Sequence, residues 1–127
     1  MNTIMVPVSV GELIDKITIL EIKAERIAAE DKRRNVTVEL EGLLPLWESL
    51  AAGSVELAEL KTRLRAVNER MWDVQDALRA REAAQDFGAE FIELARAVAA
   101  RNGERIGIKN AINLLAGSQF VEEKQYR

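Results

Sequence analysis

Apolar residues along the chain fall into blocks separated by short polar or glycine-bearing stretches, and nearly every block repeats with helical spacing. The first residues are the exception. Thr3, Ile4, Met5, Val6 and Val8 are β-branched or apolar without helical periodicity, and Pro7 disfavours helix for Val6 before it. Residues 1–8 therefore read as an extended arm or a short edge strand. Ser9 with Glu12 three residues later is a capping-box pattern, so a helix is predicted from residue 10 to 29 or 30. Its seam is Leu13, Ile17, Leu20, Ala24 and Ile27, whereas Ile19 and Ile22 lie off that seam. A helix apolar on more than one face is buried on more than one face, which makes this one central or places it at a subunit contact.

The run Asp31-Lys32-Arg33-Arg34-Asn35 reads as a charged turn. Residues 36–52 follow with a helical pattern interrupted by Pro45, which predicts a kink or two short helices, with Trp47 plugging the bend. Gly53 suits a left-handed cap and Ser54 an N-cap. The clearest periodicity follows: Leu57, Leu60, Leu64, Val67, Met71, Val74 and Leu78 alternate spacings of three and four without a miss. That seam predicts a helix over residues 55–84, about 45 Å long at the α-helical rise, which needs a long partner helix in the same chain or a second subunit. Trp72 lies just outside the seam, so it packs on another helix or anchors a partner. Asp86 reads as the cap of a helix over 87–101 that buries Phe87, Phe91, Leu94, Ala95 and Val98; Asn102-Gly103 breaks the pattern; a last helix spans 104–116 and ends at Gly117. A polar tail occupies 118–127. The fold expected is one all-α domain over residues 1–127: an antiparallel bundle of about five helices with a long, central, coiled-coil-like helix and a short extended N-terminal arm.

Composition removes whole classes of chemistry. The chain has no cysteine, so thiolate catalysis, disulfides, zinc ribbons and iron–sulfur clusters are excluded, and no histidine, the usual general base and transition-metal ligand. A metal site would be all-oxygen, yet no acidic glycine loop of the calcium type is present, so no cofactor is expected. Gly11, Gly42, Gly53 and Gly88 are isolated, which leaves out phosphate and dinucleotide loops, and no Gly-x-Ser-x-Gly elbow occurs. Both charge signs are interspersed with a net of -3, against nucleic-acid binding. No apolar run approaches the ~20 residues that span a bilayer, and the first eight residues lack the basic start of an export signal; a cytoplasmic location is expected.

What remains is charge-based chemistry. Arg105, Lys109 and Asn113, four residues apart, form one stripe of donors on the last helix, and Arg96 near the end of the preceding one joins them if the two pack side by side. Such a stripe holds a phosphate or carboxylate, or is simply a solvated face. The tail residues Glu122, Glu123 and Lys124 fold back to pair with it, or fray. Asp15 and Lys16 interrupt an apolar stretch of the first helix, either as groups tuned for proton transfer or as an ordinary ion pair or water-facing charges.

The chain also resembles a known family. The block from Val6 through Val8, Ser9, Gly11, Glu12, Asp15, Lys16 and Thr18 to Lys23, with Leu94-Ala95-Arg96, Asn102, Arg105, Lys109, Asn113, Gly117-Ser118 and Glu122-Glu123-Lys124, is similar to the bacterial domain-of-unknown-function family numbered 6165. The resemblance covers nearly the whole length and little of residues 36–65. It implies a small helical protein without established activity, near cell-envelope polysaccharide or glycosyltransferase functions, and it directs attention to the first helix, the last helix and the tail. Two readings follow. One is a non-enzymatic interaction module, homodimeric or bound to another protein through helix faces. The alternative is a small all-α enzyme or binding protein for an anionic metabolite. It would act by electrostatic stabilisation through Arg96, Arg105, Lys109 and Asn113, with Asp15 and Glu122 as acids.

Overall fold

The structure, a computed structural model, describes residues 2–117. Among these, four helices and no strand occur: α1 (Val10–Arg26), α2 (Glu30–Ala51), α3 (Val55–Ala83) and α4 (Ala89–Ala116). Residues 2–8 form an exposed segment without regular structure ahead of α1. Ser9 caps α1, its Oγ accepting from the Glu12 amide at 3.0 Å.

α1 is the hub. It packs against each of the other three helices, and Ile14 and Ile17 are fully buried with Leu20 and Ile22 close behind. Its excess apolar surface is thus explained within one chain. Ile14 joins Leu57, Leu64, Val67, Ile108 and Ile112 in the main core, against which Val10, Trp47, Leu50 and Leu60 pack at the edge. α3 and α4 run back along each other, as the ion pairs Arg81–Glu90 near their connection and Arg70–Glu104 farther along show. Along the α3 seam, Leu57, Leu64, Val67 and Met71 are buried, while Val74 and Leu78 toward its far end are half-buried.

Four expectations are corrected. The helices number four among the described residues rather than five, because Asn102-Gly103 lies inside an unbroken α4. A mid-helix glycine costs only about 1 kcal/mol; buried Ile106, Ile108 and Ile112 on the following turns outweigh it, and an Arg101–Glu104 pair at 2.8 Å spans the site. The run 31–35 is not a turn but the first turns of α2, where Glu30 and Asp31 favour the positive end of the helix; the turn is residues 27–29 instead. Pro45 divides nothing. It sits on an exposed face of α2, so the Glu41 carbonyl that loses its amide partner faces water. Finally, α4 begins after Gly88 rather than at Asp86, whose carboxylate accepts from the Gly88 amide within the connection and from Arg81. Phe87 therefore lies outside the helix, about half exposed, edge-on to Phe91, and Ala95 is exposed too.

α3 closes with a six-residue hydrogen bond from the Asp86 amide to the Arg81 carbonyl, which forces Gln85 into the left-handed region at φ 56°. Glycine is the residue suited to that position. Replacing Gln85 by Gly is expected to stabilise the protein by about 0.5–1 kcal/mol, read as a higher urea midpoint at unchanged slope; a lower midpoint would refute this account of the connection.

Candidate functional site

The stripe on α4 faces α1, and what it meets there is a carboxylate. Asp15 projects from α1 between residues that are fully buried, and is itself only 3% exposed. Its two oxygens accept from Arg105 Nε at 2.9 Å and Arg105 Nη2 at 2.5 Å, the two-pronged geometry that suits guanidinium to carboxylate. Asn68, from α3, donates its amide nitrogen to Asp15 Oδ1 at 3.0 Å and to Thr18 Oγ1 at 2.9 Å, and the Thr18 hydroxyl donates in turn to the Asp15 carbonyl. One carboxylate thus ties together three helices.

The next two stripe residues continue the seam. Lys109, 3% exposed, places its ammonium 2.6 Å from Glu12 Oε1 and 3.9 Å from Asp15 Oδ2. Asn113, 2% exposed, accepts from the Gly11 amide at 2.7 Å. That amide is one of the donors left without a partner in the first turn of any helix, so a side chain from α4 completes the start of α1. The approach is close. A Cβ on Gly11 would lie 2.6 Å from the Lys109 carbonyl oxygen and 2.9 Å from Asn113 Oδ1. Gly11 is required for proximity, not for its backbone angles.

Of the residues singled out in the sequence, Asp15, Arg105, Lys109 and Asn113 converge. The stripe is neither a solvated face nor an open row of donors, because Asp15 and Glu12 balance Arg105 and Lys109 charge for charge. Lys16 points elsewhere, pairing with Glu39 of α2 at 2.8 Å in solvent. Arg96 is exposed on α4, nine residues ahead of Arg105, or about 14 Å along the axis. Glu122, Glu123 and Lys124 lie outside the described residues. Sequence reasoning missed Gly11, Glu12, Thr18 and Asn68 as members of the network. Asn68 did leave a signal, a short amide three and four residues from Met71 and Leu64 on the apolar seam.

A second charged cluster joins α1 to α3 at the surface, where Lys61 and Arg65 bridge Glu21, and Arg26 meets Asp73. Hydrogen bonding to Glu25 is the main influence holding the Arg65 guanidinium above its usual pKa. Among the described residues no three acidic side chains converge as a metal site would require, and no helix is long and apolar enough to cross a membrane.

Apart from Asn68, the residues that build the network come from the first and last helices, and a family profile spans both. The family of unknown function DUF6165 matches residues 4–127, nearly the full length. The chain belongs to the DUF6165 family. No curated protein and no solved structure matches it. In this DUF6165 chain Gly11, Glu12 and Asp15 of the opening motif meet Asn113, Lys109 and Arg105, about a hundred residues later, across the α1–α4 contact.

Breaking a buried pair strands its partner charges, at a cost of about 3–5 kcal/mol. Asp15→Asn is expected to destabilise by about that much in chemical denaturation, because it leaves Arg105 and Lys109 with one carboxylate between them. Gly11→Ala should cost a further-reaching displacement of α4 and at least about 1–3 kcal/mol. Lys16→Ala, an exposed pair, should stay within about 1 kcal/mol. Equal effects of Asp15→Asn and Lys16→Ala would contradict the structural role assigned to the network.

Proposed function

We propose that this DUF6165 chain is a cytoplasmic, non-catalytic helical interaction module. It works as a homodimer, each copy laying its N-terminal arm across the end of α4 in the other. The carrying observation is a concentration of exposed apolar side chains at one corner. Ile4, Met5 and Val6 are 65–89% exposed on the arm, and Leu114, in the last turn of α4, is 86% exposed with Leu115 beside it.

The corner is one place because the Gly11–Asn113 hydrogen bond holds the root of the arm against the last turns of α4. Residues 2–8 carry no charged side chain. An uncharged, extended, apolar segment in water invites association unless something covers it. Self-association is the economical cover, since a two-fold contact matches a patch with its own copy: arm on Leu114 and Leu115, twice. The charge network supports the non-catalytic reading. Arg105, Lys109 and Asn113, the residues an anionic substrate would need, are engaged with Asp15, Glu12 and the Gly11 amide.

Size-exclusion chromatography with light scattering at micromolar concentration is expected to return a dimer. Deleting residues 2–8, or substituting Leu114→Asp, is expected to give a monomer of unchanged helicity by circular dichroism, since neither change reaches the core. A full-length chain that is monomeric and fully helical would overturn the proposal, as would a dimer that survives both changes.

A further inference from the structure

Three apolar residues that fit no seam in the sequence, Ile19, Ile22 and Trp72, come together in the structure. With Met71 they wall a cavity of about 200 Å³ between α1 and α3, reached by Arg105 of α4. The volume is below the ~300–1,000 Å³ of drug-sized sites, so the cavity suits a compact molecule. Its floor is not apolar. Asn68 lines it while only 6% exposed. The orientation of that amide is dictated by chemistry, because an ionised carboxylate only accepts and the Asn68 nitrogen therefore faces Asp15. Both hydrogens of that nitrogen are committed, to Asp15 and Thr18. The side-chain hydrogen bonds of Asn68 to Asp15 and Thr18 both use its nitrogen, not its carbonyl oxygen. That oxygen is not sealed from solvent, the buried side-chain polar atom without a partner among the described residues being Arg101 Nε, and it is open to a donor from whatever occupies the cavity.

The rim adds a charge. Lys23, half-buried on α1 one turn from Ile19, lines the same cavity and makes no ion pair among the described residues. Most of the other cations near α1 are paired: Lys16 with Glu39, Lys61 with Glu21, Arg26 with Asp73 and Arg105 with Asp15. Because Asp15 neutralises Arg105, the uncompensated positive charge at the cavity is that of Lys23.

We propose that this cavity binds a compact organic carboxylate. Its carboxylate meets the Lys23 ammonium, its apolar or aromatic body packs on Ile19, Ile22, Met71 and Trp72, and a hydroxyl donates to Asn68 Oδ1. The proposal is independent of the dimer reading, since none of these residues lies on the arm or in the last turn of α4. Trp72 supplies the readout, and a Trp47→Phe background isolates its fluorescence. In that background 4-hydroxybenzoate is expected to bind saturably at millimolar concentration or below, benzoate more weakly for want of the donor, and phenol more weakly for want of the charge. Lys23→Gln is expected to weaken 4-hydroxybenzoate by at least about tenfold, the scale of a lost charge-assisted hydrogen bond, with the melting temperature unchanged because Lys23 makes no ion pair among the described residues. Ile19→Trp, which fills the cavity from its rim, should abolish binding. Absence of saturable binding by all three probes would overturn the proposal. So would phenol binding as well as 4-hydroxybenzoate, or binding unaffected by both substitutions.

Discussion

A carboxylate on the most buried helix of a small protein is the condition around which the rest is arranged. Asp15 follows a fully buried isoleucine and precedes another by two residues, so its charge has no access to water and is tolerable only if donors reach it from elsewhere in the fold. They arrive from both remaining directions, Arg105 from α4 and Asn68 from α3. A buried ion pair is not in itself a large source of stability. Its effect is to penalise other arrangements: sliding α4 by one turn along α1 would break the two-pronged Arg105–Asp15 contact and the Gly11–Asn113 hydrogen bond together. Apolar ridges of isoleucine and leucine tolerate such slippage far better. The polar seam sets the register, and the apolar residues around it supply most of the driving force.

The same seam explains why α1 starts where it does. Its first-turn donors are taken by Ser9 from its own cap and by Asn113 from the far end of the chain, with Gly11 admitting the close approach. The start of α1 and the last turns of α4 are thus one structural unit. By contrast α2, which buries no side chain fully, is tied on by Lys16–Glu39 and by the partial burial of Trp47 and Leu50. Toward their connection α3 and α4 hold each other, as at Arg81–Glu90.

This division accounts for what each level of description conveys. The helical class, the α3 span to within a residue, the Ser9 and Ser54 caps and the left-handed glycines at 53 and 117 were all legible, because each depends on contacts within a turn or two of chain. Boundaries that failed, at 31–35, Pro45, Asp86 and Asn102-Gly103, are places where a weak local preference worth about 1 kcal/mol, or a single hydrogen bond for proline, was set against packing the chain order does not display.

The candidate residues divide the same way. Spacing alone put Arg105, Lys109 and Asn113 on one face of a helix, and the isolated Asp15 was visible as a charge in an apolar run. Whether that face met water, a ligand or another helix was not a property of the spacing. Only the tertiary fold decided it, by bringing α1 within hydrogen-bonding distance of α4 about a hundred residues away, and by giving Asp15 and Lys16, neighbours in sequence, different partners on α4 and α2. Sequence by itself determined which side chains were available and in what local order, because helix periodicity is a short-range law; which charges cancel, and which of them is left facing a cavity, follows from long-range proximity that no local pattern encodes.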